Sequence, residues 1–214
     1  LLRKLLNLLR KEEPSIAVPL AAIRESFEAS AADEEHFPST IDPRIYHVQL
    51  LQRYFGPLDG RLLLDAGCGK GRFARVFLES HPTARIVTLD LALAMLRATP
   101  KASLPLCATL TSFPLASDTF DFVYATESLE HAVDIEAAVA ELCRVLKPGG
   151  KLVIIDKNAE HWGRLQTPAW ERWFHREELL KLLRRHCRQA SAEPISYWED
   201  VAPDGLFLAW LAVK

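Results

Sequence analysis

The stretch Leu62-Leu63-Leu64-Asp65-Ala66-Gly67-Cys68-Gly69-Lys70-Gly71-Arg72 constrains this chain more than any other. Three leucines lead into an acid, and G-x-G-x-G follows. A short apolar run closed by glycines reads as a buried parallel strand. The glycines let the backbone turn sharply and let a ligand approach with no Cβ in the way. Arg72 to Leu78 then has helical character. Strand, glycine-rich loop and helix N-terminus together make a common cradle for nucleotide-like ligands. The spacing is not that of a dinucleotide fingerprint, which needs G-x-G-x-x-G; here the third glycine comes one residue early.

The 214 residues suffice for one domain with a helical extension, and 49% hydrophobic with 25% charged residues is ordinary globular composition. A net charge of -2 with no Lys/Arg block argues against a nucleic-acid substrate. Cys68, Cys107, Cys143 and Cys187 are widely spread and form no C-x-x-C pair, so neither a zinc site nor a disulfide framework is expected. Reduced thiols in a cytoplasmic protein are the expectation. No apolar run reaches the roughly 18 residues of a membrane span. Leu1 to Lys11 form a basic amphipathic pattern. Such a helix lies on a membrane surface or, the preferred reading, packs on protein, including a second copy in a homodimer. The chain opens on Leu1 rather than Met, the mark of a trimmed or incomplete N-terminus.

The pattern divides the chain at residue 45. Residues 1–45, punctuated by Pro14, Pro19 and Pro38, read as a helical extension with a helix over Ala21 to Ala31. Residues 46–214 read as the main domain. A helix over Tyr46 to Phe55 leads into strands at Arg61–Asp65, Arg85–Asp90, Leu104–Cys107, Phe120–Tyr124, Lys151–Asp156, Glu193–Tyr197 and Phe207–Val213. Helices are predicted over 71–80, 92–98, 134–146 and 177–186. Alternating elements with apolar strands predict an α/β fold: a doubly wound, mostly parallel sheet. Ligands in such sheets bind beyond the carboxyl ends of the strands.

Leu62 to Gly71 resembles motif I of the class I S-adenosylmethionine-dependent methyltransferases, hhhDhGCGxG, at every position. Ser117-Asp118-Thr119-Phe120-Asp121 and Arg144-Val145-Leu146-Lys147-Pro148-Gly149-Gly150 are similar to two further segments of the family, so the likeness runs over about residues 60–156. It points to the type 11-like group with small-molecule acceptors. It implies a Rossmann-like, seven-stranded sheet with an antiparallel last strand, and S-adenosylmethionine as methyl donor. The resemblance places Asp65, Ala66, Gly67, Cys68, Gly69 and Gly71 around the donor's methionine part. It gives the ribose to Asp90, whose two oxygens can accept both hydroxyls; the same residue can also cap the next helix. It puts Leu91 and Thr126 beside the donor. Thr109 stands where the family carries Asp, so the adenine needs another partner, such as the Thr109 hydroxyl, a carbonyl or the Leu110 amide.

After the fourth strand, Glu127, Glu130 and His131 follow E-x-x-E-H spacing. On a helical turn such positions share a face. The segment is similar to one in ubiquinone-pathway O-methyltransferases and small-RNA 2′-O-methyltransferases, where it holds a divalent cation. Three readings stand: a metal ligand set, a basic or acceptor-orienting His131 as the catalytic residue, and a structural His131. The second is preferred. His161, Trp162, Trp170, Trp173, Phe174 and His175 form either a lid over the acceptor or a packing cluster. The function expected is methyl transfer to a small-molecule acceptor, with O-methylation favoured over N- and C-methylation. The rivals are a non-catalytic methyltransferase-like binding subunit and an NAD(P)-dependent oxidoreductase.

Overall fold

A computed structural model describes residues 18–198 and 200–214. The amphipathic stretch Leu1 to Lys11, expected to pack on protein and to carry a dimer contact, lies outside the described residues. The described chain opens with helix α1 (Leu20–Ser30) and helix α2 (Tyr46–Phe55). Then come β1 (Leu62–Ala66), α3 (Arg72–Ser80), β2 (Arg85–Asp90), α4 (Leu93–Leu96), β3 (Leu104–Cys107) and β4 (Phe120–Thr126). A 3₁₀ turn at Leu129–His131 leads to α5 (Ile135–Val145), β5 (Leu146–Lys157), α6 (Arg176–Leu183), β6 (Gln189–Ile195) and β7 (Phe207–Val213).

The strands form one seven-stranded sheet in the order β3-β2-β1-β4-β5-β7-β6. β1 to β5 pair in parallel, and β7 runs antiparallel between β5 and β6. The strand order reverses between β1 and β4, which opens a crevice at their carboxyl ends. Apolar side chains cover both faces. Val48, Leu51, Phe73 and Phe77 of α2 and α3 pack on one side, with the Phe77 ring edge-on to Tyr124 at 5.6 Å. Val139, Leu142, Leu179 and Leu183 of α5 and α6 pack on the other. A sheet buried on both faces explains why β1, β4 and β5 read as apolar runs rather than alternating ones.

Several elements differ from the sequence reading, among them β6, β5, α4 and also α6, which stops at Leu183 rather than at residue 186. β6 ends at Ile195 and begins at Gln189, earlier than expected, because its partner β7 sets the register from Gln189↔Val213 to Ile195↔Phe207. β5 starts at Leu146, so the Lys-Pro-Gly-Gly turn is drawn into the strand with an irregular register beside Phe120 and Phe122. α4 stops at Leu96, short of residue 98; Pro100 follows Thr99 and disfavours helical backbone just before it.

The N-terminal segment is fastened to the crevice. Both Glu28 carboxylate oxygens accept backbone N–H bonds at the start of α4, from Leu93 (2.7 Å) and Ala94 (2.9 Å). The buried Lys70 ammonium donates to Glu34 (2.7 Å) and to the Asp33 carbonyl (3.1 Å). A carboxylate at a helix N-terminus satisfies orphan donors and complements the dipole. Glu28→Ala is expected to cost about 1 kcal/mol and to lower the melting temperature by circular dichroism. An unchanged melting temperature would contradict the docking of α1 described here.

Candidate functional site

The glycine loop after β1 turns back on the end of β2. The Gly67 and Cys68 amides both donate to the Leu89 carbonyl, at 2.7 and 2.9 Å. The Gly69 amide donates to Asp90 Oδ2 at 2.8 Å, and the Ala92 amide to Asp90 Oδ1 at 2.8 Å. These three loop amides are thus used inside the fold. Gly67, Gly69 and Gly71 have φ of 74°, 53° and 72°, the left-handed region that side chains resist. A Cβ on Gly71 would lie 2.9 Å from Pro100 Cδ, and one on Gly67 would strike Ser128. A Cβ on Gly69 would meet no atom within 4 Å, because it would point into an open cavity.

That cavity has a volume of about 310 Å³. Gly67, Cys68, Gly69, Asp90, Leu91, Thr109, Leu110 and Thr126 line it, as do Glu127, Glu130 and His131. Asp65, Ala66 and Gly71, also expected at the donor, are not on its wall. Ala66 instead accepts the Ser128 hydroxyl through its carbonyl (2.8 Å), and Gly71 opens α3. Asp65 lies beneath the loop, 1% exposed, against the Tyr124 hydroxyl. Burial pushes its pKa up to about 7, against the lowering pull of the Tyr124 hydroxyl. Burial also raises Asp90, although the Ala92 and Gly69 amides favour its ionised form. Both carboxylate oxygens of Asp90 keep a second lone pair. The helix-capping and ligand-facing readings of Asp90 are therefore compatible.

The loop after β3 is braced from α5. Arg144 donates to Glu141 (2.6 Å), to the Leu115 carbonyl (2.9 Å) and to the Phe113 carbonyl (3.3 Å). The Phe113 amide donates to Glu141 (2.7 Å). The Thr109 hydroxyl sits 3.0 Å from the Thr111 hydroxyl and turns the loop locally. The α1 residues Leu20, Ile23, Ser26 and Phe27 close the cavity from above. No sequence signal marked that wall.

The E-x-x-E-H segment does not form a shared helical face. Glu127 takes φ of 50°, a strained conformation for a non-glycine residue, and pairs with Arg72 at 3.0 Å. This corrects the expected Glu127, Glu130, His131 ligand set. Among the described residues the group that comes together is Glu130, His131 and Glu171, with ligand atoms within 4.8 Å of one another. Lys157 already stands among these carboxylates, 2.5 Å from Glu130 and 3.2 Å from Glu171. The donor set therefore does not fit a divalent cation: an ammonium takes the cation's place. Burial works against the Lys157 charge, but Glu130, Asp156 and Glu171 outweigh it and raise its pKa. Burial, with Asp156 close by, drives Glu130 well above the ordinary carboxylate range.

His131 packs edge-on against Phe27 at 5.0 Å, and its Nδ1 has no hydrogen-bond partner. Burial, then the Lys157 charge, push its pKa down to about 3. It is thus neutral at pH 7 and a weak proton acceptor. The aromatic cluster divides. Trp170 lines the cavity with its indole N–H unpartnered. Trp173 and Phe174 are buried packing residues, stacked edge-on with Trp162 (5.1 Å) and Trp210 (6.1 Å). His161 lies beside Arg164 and His175 precedes α6, both away from the cavity wall.

Residues 64–154 match the model of a methyltransferase domain. Over 145 residues the chain is 32% identical to a malonyl-[acyl-carrier protein] O-methyltransferase of Gallionella capsiferriformans, which covers 62% of this chain and 49% of the relative. Over 141 residues it is 33% identical to a demethylmenaquinone methyltransferase of Corynebacterium urealyticum, covering 64% and 57%. The chain thus spans about half the length of these curated relatives. The fold is that of a SAM-dependent methyltransferase from Aquifex aeolicus, with a TM-score of 0.61 at 18% identity over 92% of this chain and 98% of that one. The [4+2]-cyclase SpnF has the same fold, with a TM-score of 0.66 at 21% identity over 78% of each chain.

Asp65 has a testable signature. A carboxyl raised to about 7 in the folded state holds more protons folded than unfolded between its ordinary pKa and 7. Its contribution to stability is whole below pH about 4 and is lost as the pH rises through 7. Asp65→Asn is therefore expected to flatten the fall in unfolding free energy between pH 4.5 and 7.5, measured by chemical denaturation, by on the order of a few kcal/mol at most. Identical slopes for variant and parent would contradict the buried carboxyl.

Proposed function

We propose that this protein transfers a methyl group from S-adenosylmethionine to a small-molecule acceptor. The observation that carries the reading is the continuity of one cavity from Gly69 and Asp90 to Glu130, His131 and Trp170. It leaves a donor end and an acceptor end in line. The donor's sulfonium supplies a methyl already activated for displacement, so the protein's work is alignment and exclusion of water. The free lone pairs of Asp90 suit the ribose hydroxyls. The open face at Gly69 admits the donor's chain where a Cβ would intrude. Leu91, Leu110 and Thr109 suit the adenine. Asp65 acts from beneath, as a support for the loop rather than a contact.

Phe27 and Trp170 suit the walls of an acceptor site, with α1 as its cover. On this reading the described part of the N-terminal extension, residues 18–45, is part of the enzyme's binding surface and 46–214 its catalytic domain. The low pKa of His131 favours an orienting role over proton abstraction, because a good base at neutral pH has a pKa near 7. The malonyl and demethylmenaquinone relatives support small-molecule acceptors and leave O- and C-methylation both open. Free cysteines support work in a reducing compartment, the cytoplasm.

Calorimetry with S-adenosylmethionine tests the donor half. Asp90→Ala should weaken binding by roughly 1.5–3 kcal/mol for each hydrogen bond to the ribose. Gly69→Val should weaken it further. Binding of NADH in place of S-adenosylmethionine, or equal donor affinity in parent and Asp90→Ala protein, would sink the reading.

A further inference from the structure

The end of the cavity away from Asp90 carries a charge imbalance that the methyl-transfer chemistry does not require. Glu130 at the 3₁₀ turn, Glu171 in the segment before α6, and Asp156 of β5 surround the single ammonium of Lys157. Asp156 faces inward, where its oxygens accept the Glu130 and Lys157 amides at 3.2 Å. Glu130 is different. Its side chain is 1% exposed, one oxygen holds Lys157, and among the described residues no N–H donates to Oε2, although the carboxyl lies within hydrogen-bond reach of Asp156. Glu130 lines the cavity, as do Glu171 and Trp170. The Trp170 indole N–H and His131 Nδ1 are unpartnered there as well.

Buried polar atoms of native proteins are nearly always satisfied, so a cluster of orphans on one cavity wall points to a ligand. The segment is held for the purpose. The Arg172 amide donates to the Glu130 carbonyl at 2.9 Å, and the Phe174 amide to the Lys157 carbonyl at 3.0 Å. These bonds bring Glu171 and Trp170 against the turn that carries Glu130. Lys157 is already bridged between Glu130 and Glu171, so it is not free to receive an anion.

We propose that this end of the cavity binds an ammonium group of the acceptor through the Glu171 carboxylate, with a carboxyl oxygen of Glu130 completing the contact and Trp170 donating to a neutral oxygen on the same molecule. The proposal rests on the methyltransferase reading and names its acceptor class: small, ammonium-bearing, and carrying a hydroxyl or carbonyl. A carboxylate acceptor is disfavoured. Even with one proton retained by Glu130, the remaining carboxylates outnumber the ammonium of Lys157, and like charges repel in a site with little water. The ammonium serves as a handle; its own nitrogen stays protonated beside the carboxylates and is not the methylated atom.

Three probes of one shape and different charge test this: tyramine, 4-ethylphenol and 4-hydroxyphenylacetate. Calorimetry is run on the full chain, with and without saturating S-adenosylhomocysteine. Tyramine should bind at least ~10-fold more tightly than either of the others, the ratio that one charge-assisted hydrogen bond provides. Glu171→Gln keeps an amide oxygen for the Trp173 indole N–H, which now donates to Glu171 at 2.9 Å, so the local structure is preserved. It should weaken tyramine by ~10-fold and leave S-adenosylhomocysteine affinity unchanged. Glu130→Gln should act in the same direction. Tightest binding of 4-hydroxyphenylacetate, equal binding or absent binding of all three, or a tyramine preference that survives both substitutions would overturn the proposal. Failure of S-adenosylhomocysteine to bind while tyramine still does would sink the donor reading instead and leave the cation site standing.

Discussion

Two amides share one carbonyl at the centre of this molecule. Gly67 and Cys68 both donate to Leu89, and Gly69 donates to the neighbouring Asp90. Those three bonds tie the loop after β1 to the end of β2. They oblige Gly67, Gly69 and Gly71 to take left-handed backbone, which is why glycines stand there. They also fix Asp90 with a lone pair on each oxygen still free, and leave the open face of Gly69 toward the cavity. On the proposed reading the donor end is thus held in place before any ligand arrives, and preorganisation of this kind lowers the cost of binding.

The opposite end is organised by charge rather than by backbone. Lys157 at the end of β5 gathers Glu130 and Glu171 into one buried group. Breaking a buried pair leaves an uncompensated charge, so the group holds the 3₁₀ turn and the segment before α6 together. Its effect on His131 is to suppress protonation, through burial and the Lys157 charge. The fold itself does not choose between chemistries: a [4+2]-cyclase shares it. The contents of the cavity do.

The sequence made the donor end legible because its signals are local. Leu62 to Gly71 carries strand, turn and helix start in ten consecutive positions, and Asp90 stands at the end of the next strand. Even there the burial of Asp65 beneath the loop, and the inward use of the Gly67 and Cys68 amides, needed the register of β1 on β2. The acceptor end was legible only in part. Glu130 and His131 are adjacent in sequence, but Lys157 and Glu171 come from two other segments that only the sheet brings together. Glu127 misled because helical spacing was assumed where the backbone takes φ of 50° and the side chain turns to Arg72. The wall formed by Phe27 and Ile23 of α1 left no motif, since amphipathic helices look alike whatever they cover.

A crystal structure of the protein with S-adenosylhomocysteine tests the central claim most directly. The account predicts the ribose hydroxyls within hydrogen-bonding distance of the Asp90 carboxylate, the adenine beside Leu91 and Leu110, and the sulfur facing the Glu130 and His131 end of the same cavity. A nucleoside bound elsewhere, or one whose sulfur points away from that end, would contradict it.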